Sequence, residues 1–292
     1  MPAYKTHAIH GELILPEIDK KVDINKEDLK TFCFGPDTLI ATDYKIFSYQ
    51  HSHNVKEYFE AMMRYIKEHK LQDNPEVMAF LYGQLDHYIL DIICHPMIYY
   101  MTAAKPKDHK MDYHALVEMW IDDYIMEKYG KKEMFYFHKW YLKDKDLRDL
   151  INQVYREVYN RNHESIRYSA GITLMNLLDS LARTNAIGIA PLIMNGINIG
   201  DLTFGDLERI KPYLNLDHKT WTHPITGELL TTSFDDLFNK ASEVSLETIH
   251  DANAHIYGDK PLSNQFITND CTYNTGLPCS EKIEFAFVKQ YK

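Results

Sequence analysis

Two runs of metal-ligand side chains at four-residue spacing are the most informative feature of the sequence. They are His87-x-x-x-Asp91-x-x-x-His95 and His114-x-x-x-Glu118-x-x-x-Asp122. Because an α-helix has about 3.6 residues per turn, steps of four place the three side chains of each run on one helix face. Two such faces turned towards each other combine three imidazoles with three carboxylates, which suits a site for several divalent metal ions.

The surroundings of the first run strengthen this interpretation. Its neighbours Tyr88, Ile89, Leu90, Ile92 and Ile93 are apolar, so this helix is expected to be buried. A buried carboxylate without a partner costs several kcal/mol, and a cation is therefore expected opposite it. A single His-x-x-x-Asp pair is typical of a hydrogen-bonded core couple or of a solvated helix pair. Two consecutive runs favour a metal site over both alternatives.

Three further clusters ahead of these runs could add ligands. They are His7 with His10, the turn Gly35-Pro36-Asp37, and the stretch Gln50-His51-Ser52-His53. Taken singly, each has an ordinary alternative: a partly exposed histidine pair, an Asx turn, and polar residues ahead of a helix. The four cysteines contain no CxxC pair and are interpreted as reduced thiols.

Composition excludes several classes of protein. The chain has 292 residues, 45% of them hydrophobic, a formal net charge of −10 and a mean hydropathy of −0.40. These values exclude wholesale disorder, a fibrous repeat and an integral membrane protein. The negative charge argues against a generally basic surface for nucleic acid or membranes. No secretory signal and no apolar run of membrane-spanning length is evident, so we expect a cytoplasmic protein without stable membrane insertion.

Hydrophobic periodicity predicts helices along most of the chain. The predicted ranges are 55–71, 75–100, 112–129, 144–160, 163–184 and 234–254, with Asn54 as N-cap of the first and Pro96 ending or kinking the second near Cys94. Glycines and a proline in residues 187–205 predict an ordered loop, and the tail from 258 is expected to be irregular with a short strand at 283–288.

The fold prediction is an all-α multi-helix bundle with an irregular C-terminal region. We expect one mostly helical domain over residues 1–292. Its metal-binding half spans residues 1 to about 130, and its helical, loop-rich C-terminal half spans about 131 to 292.

Taken in order, the candidate ligands resemble the zinc-dependent phospholipase C family, whose fold is shared with zinc-dependent single-strand nucleases. The resemblance rests on His7, Gly35-Pro36-Asp37, His51 or His53, Gln84-Leu85-Asp86-His87-Tyr88-Ile89-Leu90-Asp91, His95-Pro96 and His114-x-x-x-Glu118. Two later stretches look like the downstream part of bacterial members, namely Asn215-Leu216-Asp217-His218-x-x-Trp221 and Ser233-Phe234-x-x-Leu237. The resemblance implies a helical bundle that holds three zinc ions in a cleft.

The same resemblance implies a set of zinc ligands. One zinc would be held by Asp37, one of His51 and His53, His87 and Asp91, and a second by His95, His114 and Glu118. The third zinc of the family uses an N-terminal Trp with a nearby His and a bridging aspartate. Here His7 and Asp91 match, but no Trp lies near the start, so His10 or water would replace it. We therefore expect two to three zinc ions.

The function implied by the resemblance is hydrolysis of a phosphodiester, as by a phospholipase C, through a hydroxide that bridges two metal ions. Asp37 or Asp91 would orient this nucleophile or take its proton. The expected substrate is a small phosphodiester or a phospholipid head group. An intracellular nuclease, a (cyclic) nucleotide phosphodiesterase on the same zinc site and a zinc-stabilised binding protein without activity remain as alternatives. An HD-type phosphohydrolase at His250-Asp251 is disfavoured, and the sequence specifies no oligomeric state.

Overall fold

The regular structure of the chain is almost entirely helical, which confirms the predicted all-α fold. The structure is a computed structural model that describes residues 4–103, 113–131, 141–183, 207–258, 260–281 and 284–289. The helices are α1 (Tyr4–Ile14), α2 (Lys26–Phe32), α3 (Tyr44–Gln50), α4 (Val55–Glu68), α5 (Pro75–Thr102), α6 (Tyr113–Lys128), α7 (Lys145–Tyr159), α8 (Glu164–Arg183), α9 (Leu207–Leu214), α10 (Phe234–Gly258) and α11 (Gln265–Thr268). Short 3-10 helices lie at Leu15–Glu17 and Gly35–Leu39, and the strands β1 (Trp221–Thr222) and β2 (Leu229–Leu230) pair antiparallel.

Helix α5 lies at the centre of the fold, as its apolar composition predicts. Asn74 caps its start by accepting two backbone N–H bonds from the first turn, where Pro75 fits because its missing donor is not needed. Helices α2 and α10 pack along it. The sequence predicts that Pro96 ends or kinks the helix near Cys94; the helix does not end there but continues through Pro96 to Thr102. Packing on all sides compensates for the hydrogen bond that the proline cannot donate.

Two apolar clusters flank α5. The first joins one side of α5, with Tyr88 and Ile92, to α4, α7 and α10. The second joins the opposite side, with Leu90 and Cys94, to α1, α6 and α9. Because successive helix residues are about 100° apart, positions 87, 91 and 95 fall between these two faces. The predicted ligand run therefore lies at the seam between two apolar cores.

The capping of α4 differs from the prediction. Asn54 adopts φ +56, and its side chain makes no capping hydrogen bond. Instead, the carboxylate of Asp270 accepts a bond from the backbone N–H of Lys56 at 3.0 Å. A residue far away in sequence thus stabilises the start of this helix, whereas α7 has a local cap, Asp144, which accepts a bond from the backbone N–H of Leu147.

The C-terminal half follows the predictions only in part. Helix α10 packs against α5, and the hairpin of β1 and β2 precedes α10. The predicted loop at 187–205 lies outside the described residues. Residues 284–288 form no strand, because their backbone bonds go elsewhere: Phe287 N–H donates to Pro224 O at 3.0 Å, and Lys289 N–H donates to Tyr100 O at 2.9 Å. Among the described helices, none has the length and apolar composition needed to cross a membrane.

Candidate metal centre

Three ligands of the centre come from α5. His87 and Asp91 are fully buried, and His95 is 1% exposed. Their four-residue spacing aligns them along the seam between the two apolar clusters, as the sequence predicts. The neighbouring elements α1, α3, α6 and the 3-10 helix Gly35–Leu39 supply the remaining candidate ligands to this seam.

The first set of ligands is the buried centre, which we define as His7, Asp37, His51, His87 and Asp91. It consists of two overlapping groups, one with Asp37, His51 and His87 and the other with His7, His87 and Asp91, and the ligand atoms of each group lie within 4.8 Å of one another. The Asp37 Oδ1 atom lies 3.2 Å from His51 Nε2. The two Asp91 oxygens face different imidazoles, with Oδ1 3.2 Å from His7 Nε2 and Oδ2 3.3 Å from His87 Nε2.

Gly35 permits the close approach between the 3-10 helix and α5. It has φ +54, and a Cβ atom at this position would lie 2.4 Å from Cγ of the His87 ring. Any larger residue would therefore suffer both backbone strain and a clash with a ligand. The turn Gly35-Pro36-Asp37 consequently places the Asp37 carboxylate directly against His87.

The second set is the outer centre, which we define as His95, His114 and Glu118. Helix α6 supplies His114 and Glu118, whose Nε2 and Oε1 atoms are 2.7 Å apart. The Nε2 atom of His95 lies 3.9 Å from the same carboxylate oxygen. The His114 side chain is 20% exposed, whereas the side chains of the buried centre are at most 6% exposed. The outer centre is therefore the part of the site that meets solvent.

Hydrogen bonds fix the ring orientation of four imidazoles. In each, Nδ1 faces an oxygen acceptor: His51 faces Phe47 O at 2.6 Å, His87 faces Cys33 O at 3.0 Å, His95 faces Tyr273 O at 2.8 Å, and His114 faces Thr102 Oγ1 at 3.0 Å. A carbonyl oxygen only accepts, so Nδ1 carries the proton. The Thr102 hydroxyl donates to Ile98 O and is left to accept as well. Each Nε2 therefore presents a lone pair to its group, which is the tautomer that a metal ligand requires.

The buried centre also contains polar atoms that nothing in the described chain satisfies. They are His7 Nδ1 and Nε2, Asp37 Oδ1, His51 Nε2, His87 Nε2 and both carboxylate oxygens of Asp91. Each unsatisfied buried group costs about 1–3 kcal/mol, more when charged. Divalent cations placed between these atoms would satisfy all but one of them together. The donor set therefore fits a metal with mixed imidazole and carboxylate ligands, such as zinc.

Burial and neighbouring charges shift the pKa values of the candidate ligands in different directions: for His87, burial lowers the pKa, but the Asp91 and Asp37 carboxylates raise it above its usual value. Burial, followed by the neighbouring His87, lowers the pKa of His7 to about 4, so His7 is neutral at pH 7. Burial also lowers the pKa of His114 well below its usual value. Burial raises the pKa of Asp91, but the His87 and His7 imidazoles outweigh it and hold this carboxyl below its usual range. Burial raises the pKa of Glu118 well above its usual value, a cost that a bound dication would remove.

Comparison with known proteins decides the family. The sequence model of the family described as zinc dependent phospholipase C matches residues 6–165, which is more than half of the chain. The chain belongs to the zinc-dependent phospholipase C family. The match contains every member of the buried and outer centres, and the predicted membership is confirmed. No curated protein and no solved structure matches the chain.

Two imidazoles considered as zinc ligands lie outside both centres of this member of the zinc-dependent phospholipase C family. His53 is exposed, stacks on Tyr49 with ring centroids 4.2 Å apart, and contacts the Ser52 hydroxyl through Nδ1 at 2.8 Å. The prediction of His53 as a ligand is corrected accordingly, because α3 ends at Gln50 and only His51 continues its inward face. His10 lies on α1 but faces away from the centres, since its two ring nitrogens contact Asp86 and Ser242.

Several residues that support the family's metal site carry no clear signal in the sequence. Tyr273 accepts the His95 hydrogen bond from outside the matched segment, and Thr102 supports His114. Asp122, the last member of the second run, accepts bonds from the backbone N–H groups of Lys5 and Thr6 at 3.1 and 2.8 Å. It thus stabilises the start of α1, which carries His7. Its four-residue spacing placed it on the correct face, but the spacing did not reveal its partner.

Proposed function

We propose that this chain is a zinc-dependent phosphodiesterase of the phospholipase C type. The observation that carries the proposal is the alignment of the buried and outer centres along one face of α5, with unsatisfied ligand atoms in the first and a solvent-exposed ligand in the second. Family membership supports a zinc phosphoesterase in general. A structural zinc site is closed by four protein ligands, whereas the outer centre has three candidate ligands and a His114 side chain that is 20% exposed.

We assign two zinc ions to the buried centre and one to the outer centre. Asp91 would be shared within the buried centre, because its two oxygens face different imidazoles, whereas His87 has one lone pair, at Nε2, and would serve a single ion. Bound zinc supplies Lewis-acid charge that polarises phosphoryl oxygens and activates water at neutral pH. Two to three ions per chain are therefore expected, with His7 and Asp91 serving the third position that the family completes with an N-terminal Trp.

The protein's own groups position the reactants. The substrate phosphate enters beside His114, since the buried centre is closed to solvent. Asp37 belongs to the ligand group with His51 and His87, so its carboxylate can orient the attacking water and accept its proton through the oxygen that does not bind zinc. Asp91, held between His7 and His87, fixes both imidazoles relative to this water.

The reaction is an in-line displacement at phosphorus. A P–O bond forms to the water oxygen, the P–O bond to the alcohol breaks, and the water proton passes to Asp37. The leaving alkoxide takes up a proton, so the products are a phosphomonoester and an alcohol, and no covalent enzyme intermediate forms. We propose a phospholipid head group or another small phosphodiester as substrate, bound without stable membrane insertion.

A second candidate is hydrolysis of a nucleotide phosphodiester. The Tyr99 ring lies 4.5 Å from the His114 ring and is stacked on Phe285 at 4.5 Å. Phe285 is 37% exposed, so an aromatic face is open beside the outer centre. Such a face can stack a base as well as contact an apolar chain. Phe285→Ala would weaken binding of a nucleotide substrate in particular, which separates this candidate from the first.

Zinc quantification followed by a substrate panel tests the proposal. Protein purified without chelator should contain two to three zinc ions per chain. It should release a phosphomonoester from short-chain phospholipids or, under the second candidate, from nucleotide phosphodiesters. A folded, zinc-loaded protein that hydrolyses no phospholipid, single-stranded nucleic acid, cyclic nucleotide or chromogenic phosphodiester would contradict it and favour a non-catalytic zinc protein. Activity that persists in a metal-free protein would also contradict it.

A further inference from the structure

A C-terminal segment outside the family match contacts both metal centres. We name residues 270–279 the C-terminal clamp. It lies after the segment matched by the family, which ends at residue 165. The clamp nevertheless contacts α4 through Asp270, α5 through several groups, and the residue that follows α3. Of these, α5 carries His87, Asp91 and His95, and the residue that follows α3 is His51.

Tyr273 occupies the point between the two centres. Its backbone N–H donates to the carbonyl oxygen of His51 at 3.0 Å, and its carbonyl oxygen accepts the Nδ1–H of His95 at 2.8 Å. His51 belongs to the buried centre and His95 to the outer centre. A single residue therefore bonds to one ligand residue of each.

The ring of Tyr273 reinforces these backbone bonds. It is fully buried, and its centroid lies 5.0 Å from the His51 ring and 5.9 Å from the His87 ring. It also packs edge-on against Tyr88 at 4.6 Å. These contacts leave the two imidazoles little freedom to rotate, which lowers the entropy that metal binding would otherwise have to remove.

The clamp itself is held in a tight, internally bonded turn. The hydroxyl groups of Thr272 and Thr275 are 2.9 Å apart, and Gly276 N–H donates to Thr272 O at 3.0 Å. The Tyr88 hydroxyl donates to Cys271 O at 2.8 Å, which ties the turn to α5. Gly276 has φ +68, and a Cβ atom there would lie 2.8 Å from Cγ2 of Ile92. The turn is therefore seated directly on the helix that carries the ligand run.

We propose that Tyr273 is a positioning residue that sets the zinc affinity of both centres at once. It touches neither substrate nor metal and acts through His51 and His95. The proposal rests on the zinc site of the proposed function but makes no use of hydrolysis. Its consequence is that the metal site encoded in the first part of the chain is completed by the far C-terminal part.

Zinc affinity in matched variants tests this role. Tyr273→Ala should weaken zinc binding at both centres by about 10–100-fold, as removal of residues supporting metal ligands typically does. Tyr82→Ala is the matched control, because Tyr82 is an equally buried tyrosine of α5 that hydrogen-bonds Asn253 on α10 and contacts no ligand. It should lose thermal stability but keep its zinc affinity. Tyr273→Phe, which retains the ring and backbone, should bind zinc as the unmodified chain does.

A second pair of variants perturbs the backbone of the C-terminal clamp and leaves the Tyr273 side chain unchanged. Gly276→Ala combines a positive φ with the contact to Ile92, whereas Gly130→Ala has φ +64 with no heavy atom of the described chain within 4 Å of its Cβ. Both substitutions place a Cβ atom on a residue with positive φ and so introduce similar backbone strain. Only Gly276→Ala should weaken zinc binding, because only its Cβ would clash with Ile92. If Tyr273→Ala fails to fold, the zinc affinities of Gly276→Ala and Gly130→Ala test the positioning role of the clamp instead.

Zinc affinities of all variants are measured by equilibrium competition with a chromogenic chelator. Nitrogen NMR of the His95 ring in the unmodified chain should show a slowly exchanging Nδ1 proton. Unchanged zinc affinity in Tyr273→Ala and Gly276→Ala would overturn the proposal, and weakening confined to one centre would overturn its claim on both. A chain that binds zinc in this Tyr273-dependent way but hydrolyses nothing would refute the proposed function alone.

Discussion

The buried and outer centres use the same ligand chemistry but differ in how the ligands are supported. In the buried centre, His51 and His87 donate to backbone carbonyls of Phe47 and Cys33, which lie in the N-terminal part of the chain. In the outer centre, His95 depends on the distant Tyr273, and His114 depends on a threonine hydroxyl. Phe47 lies in α3 and Cys33 directly follows α2, so these carbonyls are fixed by the helices, whereas the Thr102 hydroxyl can rotate away from His114.

The two centres also differ in their exposure to solvent. The buried centre is closed to solvent, and the outer centre has its His114 side chain 20% exposed. Electrostatic interactions are stronger where water is excluded, so we expect the buried centre to retain zinc more tightly. Under the proposed function, the outer centre would exchange its ion more readily and would meet the substrate. Four experiments test this expected difference between the buried and outer centres.

The largest effect is expected from Asp91→Asn. This change removes the charge between His7 and His87, so zinc should be lost from the buried centre and turnover should fall on the order of 10³-fold. Zinc content and kcat are measured on the same preparation. Asp86→Asn is the matched control, since Asp86 precedes His87 but bonds His10 instead of a ligand. It should lose stability while keeping its zinc, and near-normal turnover of Asp91→Asn would contradict the central role of Asp91.

Chelation should have the next largest effect. Removing zinc leaves buried carboxylates uncompensated, so the thermal unfolding midpoint should fall by about 5–15 °C. Release of zinc to a chelator, followed over time, should occur in two phases, with the outer centre emptied first. Readdition of zinc should restore the midpoint. Release in a single phase would show that the two centres do not differ in affinity.

Substituting one ligand at a time shows which centre is responsible for each phase of zinc release. His51→Ala should remove the slow phase of zinc release and lower thermal stability, because it opens the buried centre. His114→Ala should remove the fast phase and the hydrolytic activity while leaving the unfolding midpoint close to that of the zinc-loaded chain. If His51→Ala instead removes the fast phase, the assignment of the two centres is reversed.

The smallest effect is expected from Thr102→Val. It removes only the acceptor for His114 Nδ1 and should weaken zinc binding at the outer centre by about tenfold, with no change at the buried centre. Thr31→Val is the control, because Thr31 is equally buried and its hydroxyl bonds only the carbonyl of Glu27 one turn earlier. Equal zinc affinities in the two variants would show that the Thr102 hydroxyl does not orient His114.

The sequence predicted what is periodic and local. The placement of the two ligand runs on α5 and α6 follows from helix geometry alone, and both helices occur close to their predicted ranges. The choice between His51 and His53 did not follow, because it depends on where α3 ends. His51 continues the helical path and reaches Phe47 O, whereas His53 lies beyond it.

Other unpredicted features involve partners distant in the chain. Asp270 caps α4 in place of Asn54, and Asp122 caps α1 from α6. Tyr273 lies 178 positions from the His95 ring that it supports. No local pattern marks such residues, since an aspartate or a tyrosine in an irregular segment is ordinary in composition. Only the folded arrangement shows what each one holds.

The separation between Tyr273 and its partners has a consequence for biosynthesis. Every proposed ligand leaves the ribosome long before Tyr273, so a nascent chain carries a full complement of imidazoles and carboxylates without the residue that fixes two of them. Domains generally fold as units, so zinc captured before the clamp is made would meet ligands that the clamp has not yet positioned. If Tyr273 positions the ligands as proposed, ribosome-stalled chains ending before the clamp should take up zinc only weakly.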